Sequence, residues 1–544
     1  MDASGDGVGD LRGIIEKLDY LNDGTPSSLG IDAIWLSPIF PSPMFDFGYD
    51  VSDYTAIDPT FGSMADFDEL LREAHKRDIK IILDFVPNHT SHLHPWFIES
   101  KKSKTSQKRD WYIWRQPKCA GRHIHKKRPP FYCRPNNWQS VFGGSAWEWD
   151  EGTGEFYYHH FLKEQPDVNW RNPDLRKAMY DQMRFWLDKG VDGFRLDVIN
   201  HIFKDDRLRN NPYRIGRRPY DMQRHLYDLD RPEAIEVVKE MRALVDEYGK
   251  KTGRERMLVG EVYIDDPRRA APYYGGGTDG LNLAFFFKFS FMPFCARSFM
   301  NAVRLWEGIL PKGAWPTYFL SNHDQPRHIG RYKAKNNEET TARAKVAATM
   351  LLTLRGTPFI YYGEEIGMKN LHIKRKDLKD PVGIRYWPIP VGRDMARTPM
   401  QWSDSESAGF TSSGATWLPL HPNFKTTNVQ KEAEDQNSLL NFYRSLVWKR
   451  KVSRALKKGS IEIIPGTPRT IFAYIRKFQD ESCLIVLNFE NRKHPFPDVL
   501  SEKLFSKKLP YKILFSTHHP PRIAADLNAG FINPYEATIF RQEK

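Results

Sequence analysis

The sequence is poor in cysteine and has no long apolar run. Four cysteines among 544 residues, Cys119, Cys133, Cys295 and Cys483, are too few for a disulfide scaffold and favour a reducing compartment. No stretch approaches the ~20 apolar residues of a membrane helix, and the opening MDASGDGVGD does not resemble a secretory signal. We therefore expect a cytoplasmic protein that has no membrane partner.

Basic residues outnumber acidic ones, 81 to 68, and the formal net charge is +13. The basic residues concentrate in 122–128 and 449–458, where no nucleic-acid recognition motif accompanies them. A solvated surface explains this charge better than a nucleic-acid partner does. The length of the chain predicts two or three domains.

Short apolar runs alternate with helical patterns along most of the chain. Such alternation predicts a parallel sheet, and the expected fold class is α/β: a (β/α)8 barrel with an inserted domain after strand three and a C-terminal antiparallel β domain. The predicted strands span 31–39, 79–87, 191–199, 256–264, 281–287, 315–323 and 357–363.

We assign the barrel to 1–88 and 173–464, the insertion to 89–172 and the β domain to 465–544. A barrel of this type needs eight strands, whereas the pattern provides seven and the chain opens on a helical signal over 10–21. We expect the first strand to be absent and Met1 to be an internal methionine. Unpaired strand edges would then make the barrel less stable than one with the strand restored.

Three acidic residues, Asp197, Glu261 and Asp324, stand at the ends of apolar runs. That position suits the mouth of a barrel better than a core. Arg195 lies two residues before Asp197, so both side chains point to one face, where the guanidinium would keep the carboxylate ionised for nucleophilic attack or form a structural ion pair. Partial desolvation of Glu261 predicts a raised pKa, which suits a general acid. A nucleophilic carboxylate and an acidic carboxyl group of this kind together catalyse the retaining hydrolysis of glycosidic bonds.

Four segments resemble, in order and at comparable intervals, the motifs of glycoside hydrolase family 13, the α-amylase family: DFVPNH (84–89), GFRLDVINH (193–201), GEVYI (260–264) and FLSNHD (319–324). QPDVNW (165–170) resembles the signature of its oligo-1,6-glucosidase and α-glucosidase branch. The resemblance covers nearly the whole chain. It implies a retaining, exo-acting α-glucosidase that releases glucose from the non-reducing end of short α-glucosides and needs no cofactor for catalysis.

The resemblance also implies roles for single positions. Asp197 would be the nucleophile, Glu261 the acid/base and Asp324 the transition-state stabiliser. Tyr49 would stack on the terminal glucose. The other residues expected in that subsite are His89, Arg195 and His323.

Two further positions bear on specificity. Asp50 would pair with Arg393 and close the pocket behind the terminal glucose, as in an exo-acting enzyme. Val198, directly after the nucleophile, favours α-1,6 cleavage in this branch, whereas GEVYI and the stretch 380–388 favour α-1,4. The linkage therefore stays open.

The opening loop spaces its oxygen atoms like a calcium loop and resembles the single-ion loop of the family. A capped acidic turn without metal is the alternative. The expected ligands of a structural Ca²⁺ or Mg²⁺ are Asp2, Ser4, Asp6, Val8 and Asp10. Zinc is disfavoured in 119–133 because the spacing of its Cys and His residues fits no standard site. A basic loop is expected there, with a Cys119–Cys133 link in oxidising conditions.

Two other functions are compatible with the sequence. The first is a transglycosylase or isomerase of the same family, of the trehalose or isomaltulose synthase type. The second is a non-catalytic relative such as the ectodomain of a transporter heavy chain, which the complete set of acids disfavours. The expected partner is a small oligosaccharide such as maltose, isomaltose or sucrose, and the expected assembly is a monomer or homodimer.

Overall fold

The computed structural model describes residues 1–119, 131–505, 511–518 and 531–542. The strands, in chain order, are β1 (Ala33–Leu36), β2 (Lys80–Phe85), β3 (Trp114–Arg115), β4 (Trp147–Asp150), β5 (Glu155–Tyr158), β6 (Gly193–Leu196), β7 (Met257–Gly260), β8 (Leu283–Ala284), β9 (Thr317–Phe319), β10 (Thr357–Phe359), β11 (Ser460–Ile463), β12 (Ile471–Phe478), β13 (Glu481–Asn488), β14 (His494–Pro495), β15 (Lys512–Ser516), β16 (Phe531–Ile532) and β17 (Ala537–Gln542).

The α-helices, in chain order, are α1 (Leu11–Ile15), α2 (Leu18–Leu21), α3 (Met64–Lys76), α4 (Pro95–Lys102), α5 (Pro173–Lys189), α6 (Glu233–Thr252), α7 (Pro267–Ala270), α8 (Phe287–Ser290), α9 (Ala296–Ile309), α10 (His328–Arg331), α11 (Asn337–Thr353), α12 (Pro381–Arg385), α13 (Val429–Glu434), α14 (Leu439–Val452), α15 (Arg454–Lys458) and α16 (Asp498–Phe505). The described helices include none that is both long and apolar enough to cross a membrane.

All seven predicted barrel strands form, each shorter than its apolar run. β1, β2, β6, β7 and β8 pair in that order in one parallel sheet, and β9 pairs with β10 in parallel. Strand order follows chain order, with helices between the strands, which is the arrangement of successive βα units. The predicted α/β barrel class is confirmed. The helix predicted over 10–21 is divided into α1 and α2.

Aromatic packing joins the two parts of the barrel. Among the described residues, no ladder connects β8 to β9 or β10 to β1. The ring of Phe285, just beyond β8, lies 5.7 Å from Trp35 of β1, 5.3 Å from Phe319 of β9 and 4.8 Å from Phe359 of β10. One interior cluster thus spans both gaps, because its members come from strands on either side of them.

Local sequence signals set the ends of α5, the helix that leads into β6. The side chain of Asn172 accepts hydrogen bonds from two amides of the first turn, and Pro173 follows at the first helical position. Gly190 ends the helix with φ of 102°, a conformation that a side chain disfavours. Met183 and Trp186 are fully buried on the inner face of the helix. These features fix where β6 starts and where Asp197 lies.

The segment predicted as an inserted domain contains a small antiparallel sheet in the order β3, β5, β4. Trp138 and Trp147 are buried against it. Cys119 and Cys133 are joined by a disulfide with their Cα atoms 5.2 Å apart. The basic part of the predicted 119–133 loop, including His123 and His125, lies outside the described residues.

A buried lysine ties this segment to the barrel. Lys204 Nζ forms an ion pair with Asp167 and donates a hydrogen bond of 2.9 Å to Asn88 Oδ1. Asn88 follows β2, Lys204 follows β6, and Asp167 belongs to the QPDVNW motif. The charged pair is buried, so it holds two barrel strands and the insertion together at the mouth.

The C-terminal sheet is antiparallel, in the order β11, β12, β13, β17, β15. It begins at Ser460, before the expected boundary at 465. Arg476 of β12 is buried and donates a 2.6 Å hydrogen bond to the carbonyl of Thr353, at the end of α11. This contact fastens the sheet to the barrel.

Candidate active site

The side chain of Arg195 joins three carboxylates at the mouth of the barrel. Its Nη1 donates hydrogen bonds to Asp84 Oδ1 at 2.8 Å and to Asp197 Oδ1 at 2.7 Å, and its Nη2 donates to Glu261 Oε2. Arg195 lies in β6 and Asp84 in β2, while Asp197 and Glu261 directly follow β6 and β7. Because these strands are neighbours in the sheet, their ends place all four buried side chains together.

One guanidinium does not neutralise three buried carboxylates. Burial raises the pKa of Asp197 well above its usual value, Arg195 opposes that shift, and Glu261 and Asp84 add to it. Burial likewise raises the pKa of Glu261, the direction expected of a general acid. For Asp197 the direction is opposite to the sequence expectation, because desolvation outweighs the pairing with Arg195. The two carboxyl groups therefore titrate as a coupled pair.

Val198 adopts a backbone conformation that β-branched residues rarely take. Its φ and ψ are 35° and 44°, in the left-handed region. This turn directs its amide toward Glu261 Oε2 at 3.4 Å. Strain of this kind persists where the surrounding structure enforces it, and it is common at functional sites.

Asp324 is the most exposed of the three predicted catalytic acids, and positively charged side chains lie next to it. Its Oδ1 accepts a 2.7 Å hydrogen bond from Arg397 Nη2, and Arg393 Nη1 lies 3.6 Å away. Burial lowers the pKa of His323 to about 3, so this neighbour is neutral at neutral pH. Burial opposes ionisation of Asp324, but the nearby positive charges outweigh it and lower its pKa well below the usual value.

The predicted sugar-binding residues meet at the same mouth. The Tyr49 hydroxyl donates to Asp84 Oδ2 at 3.0 Å and bonds His323 Nε2 at 2.8 Å. His89 Nε2 lies 3.1 Å from the Tyr49 carbonyl, which can only accept, so Nε2 carries the hydrogen. Burial lowers the pKa of His89 to about 4. Tyr49, His89 and His323 thus form one neutral hydrogen-bonded group beside the acids.

The predicted pair between Asp50 and Arg393 does not form. Asp50 is buried and accepts hydrogen bonds from Ser42 Oγ and from the amides of Phe45 and Asp46. These local donors occupy its carboxylate and fold the loop so that Asp46 faces Arg393 instead. Arg393 Nη2 bonds Asp46 Oδ1 at 2.7 Å and Asp380 Oδ1 at 2.8 Å.

Sequence reasoning therefore missed two members of the site. Arg397 opens the run RTPMQW (397–402), which also resembles the family, but no role was inferred for it from the sequence. No sequence pattern near Asp46 predicts its contact with Arg393, because that contact depends on how two loops far apart in the chain fold. Asp84, the first residue of DFVPNH, contacts Arg195, Tyr49 and Trp35 Nε1 and so orients all three side chains.

The predicted cation loop is folded around backbone amides. Asp2 accepts hydrogen bonds from the amides of Gly5 and Gly7, and Asp10 accepts them from the amides of Ala3, Ser4 and Gly13. Within the described part of the chain, no cluster of three or more His, Cys, Asp or Glu side chains is arranged to hold a metal. These hydrogen bonds cap the acidic turn from within, and any ion there would have to share the Asp2 and Asp10 carboxylates with them.

We predict that Arg195→Met lowers the free energy of unfolding by about 3–5 kcal/mol, because it leaves buried carboxylates without a cation. The loss should be larger at pH 8 than at pH 5. At the lower pH these carboxyls, with raised pKa values, take up protons and shed their charge. Thermal or urea unfolding at the two pH values measures this.

The matched control is Arg12→Met. Arg12 pairs with Asp66 and Glu69 on the surface, where its side chain is 52% exposed. We expect this control to leave the free energy of unfolding nearly unchanged, because exposed ion pairs contribute little to stability. Equal losses for the two variants, or a loss at position 195 that does not depend on pH, would contradict the central role of Arg195.

Comparison with known proteins places the chain in a family. The family model "Alpha amylase, catalytic domain" matches residues 1–459. The oligo-1,6-glucosidase of Parageobacillus thermoglucosidasius is 39% identical over 572 residues, which cover 99% of this chain and 96% of that protein.

Solved structures agree with this placement. The α-glucosyl transfer enzyme XgtA has 36% identity and a TM-score of 0.87, with 100% of this chain and 97% of that chain covered. The trehalulose synthase MutB from Pseudomonas mesoacidophila has 32% identity and a TM-score of 0.84, with 100% and 96% covered. The predicted family is confirmed: this chain belongs to the α-amylase family of glycoside hydrolases.

Proposed function

We propose that the protein is a retaining, exo-acting α-glucosidase that releases glucose from the non-reducing end of short α-glucosides through a covalent glucosyl–Asp197 intermediate. The observation that carries this proposal is the pair of hydrogen bonds from Arg195 to Asp197 and Glu261. Retaining enzymes hold their two carboxyls about 5–5.5 Å apart, whereas inverting enzymes need about 6.5–9.5 Å to admit a water. A shared guanidinium supports the shorter separation.

In this mechanism Asp197 attacks the anomeric carbon while Glu261 donates its proton to the glycosidic oxygen. The leaving sugar departs as an alcohol. Glu261, now ionised, takes a proton from a water that attacks the anomeric carbon and breaks the bond to Asp197. Asp324, kept ionised by Arg397 and Arg393, accepts hydrogen bonds from hydroxyls of the glucosyl unit.

The exo mode is supported by the closed end of the site. Arg393 is held between Asp46 and Asp380 and lies over the ring of Phe142 at 5.2 Å. This group joins the loop after β1, the inserted segment and the loop after β10. A wall at this place would close the site behind a terminal glucose and stop a longer chain from passing through.

We propose that both α-1,6 and α-1,4 bonds are substrates, with α-1,6 favoured. Val198 supports α-1,6 cleavage, and so does the similarity to oligo-1,6-glucosidases and to a glucan 1,6-α-glucosidase of Streptococcus pneumoniae, 38% identical over 91% of this chain. Comparison of kcat/KM on isomaltose and maltose decides the preference.

Glucosyl transfer is the second candidate. The similarity to XgtA and to trehalulose synthase MutB favours it. Incubation with maltose, isomaltose and sucrose separately distinguishes the two. Disaccharide products without free glucose would replace the hydrolase proposal, and a sucrose isomer would identify an isomerase.

We predict that Asp197→Ala lowers kcat/KM on p-nitrophenyl α-glucoside by at least about 10³-fold, because no other group forms the covalent intermediate. The control is Asp206→Ala. Asp206 lies in the loop after β6, the strand that Asp197 also follows, and its exposed carboxylate pairs with Arg171. The control should keep its activity. Retained activity in the Asp197 variant with an unchanged melting temperature would refute its role.

We predict a bell-shaped dependence of kcat/KM on pH. Activity needs Asp197 ionised, so it falls as pH drops through the lower macroscopic pKa of the pair. It also needs Glu261 protonated, so it falls as pH rises through the upper pKa, which burial has raised. Glu261→Gln should remove the upper limb from the residual activity on p-nitrophenyl α-glucoside. An unchanged upper limb in that variant would assign the acid to another residue.

We further propose a cytoplasmic location and a monomeric or homodimeric state.

We also propose a structural Ca²⁺ or Mg²⁺ in the opening loop. Its ligands would be Asp2, Ser4, Asp6, the Val8 carbonyl and Asp10, and it would have to share the carboxylates of Asp2 and Asp10 with backbone amides. We predict that Ca²⁺ raises the melting temperature of the protein by a few degrees and that Asp6→Asn reduces this gain, as measured by calorimetry with and without chelator. No Ca²⁺ effect on either protein would leave the metal-free turn as the correct description.

A further inference from the structure

The turn that carries His323 and Asp324 follows β9 and leads into α10. Its two ends are joined, because Ser321 Oγ accepts a 2.9 Å hydrogen bond from the amide of His328. Asp324 stands in the middle of this closed turn, residues 321–328, which we call the acid turn. The position of the carboxylate therefore depends on what holds the acid turn as a whole.

Arg397 holds the acid turn against the segment 396–398. Its Nε donates a 2.7 Å hydrogen bond to the carbonyl of His323, and its Nη2 donates to Asp324 Oδ1 at 2.7 Å. One guanidinium thus binds both the main chain and the carboxylate of the acid turn. This contact stays in place only if the main chain around Arg397 is itself held.

Arg327 makes a contact in the opposite direction. It belongs to the acid turn, and it is only 1% exposed. Its Nη2 donates a 3.0 Å hydrogen bond to the carbonyl of Ala396, and its Nη1 donates to the carbonyl of Tyr362. Arg327 and Arg397 therefore cross: each stands in one of the two segments and binds the main chain of the other.

Two tyrosines after β10 complete this contact. The guanidinium of Arg327 lies over the rings of Tyr361 and Tyr362, at 4.7 Å from each. The Tyr361 hydroxyl donates a second hydrogen bond, of 3.0 Å, to the carbonyl of Ala396, and the Tyr362 hydroxyl donates one of 2.7 Å to that of Thr398. The segment is therefore held at both of its ends.

The main chain of Arg327 is fixed as well. Its amide donates a 2.8 Å hydrogen bond to Asn370 Oδ1. A Cβ added to Gly330 of α10 would lie 2.4 Å from Asn370 Nδ2, so the side chain of Asn370 packs closely against this helix. The guanidinium of Arg327 thus extends from a main chain that is held in place.

We propose that Arg327 is a positioning residue for the reaction, which keeps Arg397 in place against Asp324 by holding the carbonyl of Ala396. The inference deepens the proposed α-glucosidase function and rests on it. Because Arg327 is buried, it acts through Arg397 and not on the sugar itself. A displaced Arg397 would misplace the carboxylate that binds the glucosyl unit, and this weakens an interaction that matters most in the transition state.

The test is a double-mutant cycle of Arg327→Gln and Arg397→Gln, with kcat and KM measured on p-nitrophenyl α-glucoside. Arg327→Gln alone should lower kcat and kcat/KM alike, by about 10–100-fold, because small displacements at a reacting site have costs of this size. In a protein that already carries Arg397→Gln, the same change should leave kcat nearly unchanged, since the side chain that Arg327 positions is gone.

The matched control is Arg476→Gln. Arg476 is also buried, and its guanidinium also donates to main-chain carbonyls, those of Thr353, Gly459 and Ser460. These contacts lie where α11 meets the C-terminal sheet. The control should lower the melting temperature, as Arg327→Gln does, and leave kcat and KM nearly unchanged.

A milder pair of variants keeps the inference testable if the arginine variant does not fold. Tyr361→Phe keeps the ring under the guanidinium and removes the hydroxyl that bonds Ala396. Its control is Tyr474→Phe, which removes a buried hydroxyl that lies 2.5 Å from Thr353 Oγ1. Tyr361→Phe should lower kcat severalfold with little change in KM, and Tyr474→Phe should not.

Equal losses of kcat from Arg327→Gln in the presence and absence of Arg397→Gln would overturn the inference, because the two arginines would then act independently. Equal losses of kcat in the controls would overturn it as well, since destabilisation alone would explain them. So would wild-type kcat in both Arg327→Gln and Tyr361→Phe. A wild type that releases glucose from neither isomaltose, maltose nor p-nitrophenyl α-glucoside would instead refute the proposed function, so the two failures are distinguishable.

Discussion

The buried guanidinium of Arg195 is the interaction on which the site depends. It holds Asp84, Asp197 and Glu261 at the ends of three neighbouring strands, and it supplies one positive charge to three carboxyls. Burial is the largest cause of the raised pKa values of Asp197 and Glu261, and the carboxylate charge that Arg195 leaves uncompensated adds to it. In the proposed mechanism the nucleophile and the proton donor are therefore two carboxyls whose geometry Arg195 fixes and whose titration burial shifts.

The distances among these side chains stay fixed only if the strands that carry them are held rigidly. The parallel ladder from β1 to β8 sets the spacing of the strand ends, and the aromatic cluster around Phe285 connects that ladder to β9, which leads to Asp324. Lys204 adds a second buried charge that binds the inserted segment to the barrel mouth. Asp324 lies outside the Arg195 group, and the neighbouring cations Arg397 and Arg393 help to lower its pKa, whereas burial raises the pKa of the other two acids.

Acids at strand ends were predictable because the signal is local. An apolar run followed by a carboxylate identifies both a strand and the end of that strand that lies at the mouth of the barrel. Asp197, Glu261 and Asp324 are of this kind, and so is Arg195, whose contact with Asp197 follows from strand alternation. Contacts between loops were not predictable in this way. Asp50 was expected to meet Arg393, but its carboxylate is occupied by its own loop, and Asp46 takes its place.

The role proposed for Asp197, held in place by Arg195, is nucleophilic attack on the sugar. Trapping with 5-fluoro-α-glucosyl fluoride, followed by proteolysis and mass spectrometry, tests it most directly. We expect one added fluoroglucosyl group on the peptide that contains Asp197, and no label after Asp197→Ala. A label on another carboxylate, or turnover of the reagent without any covalent adduct, would contradict it.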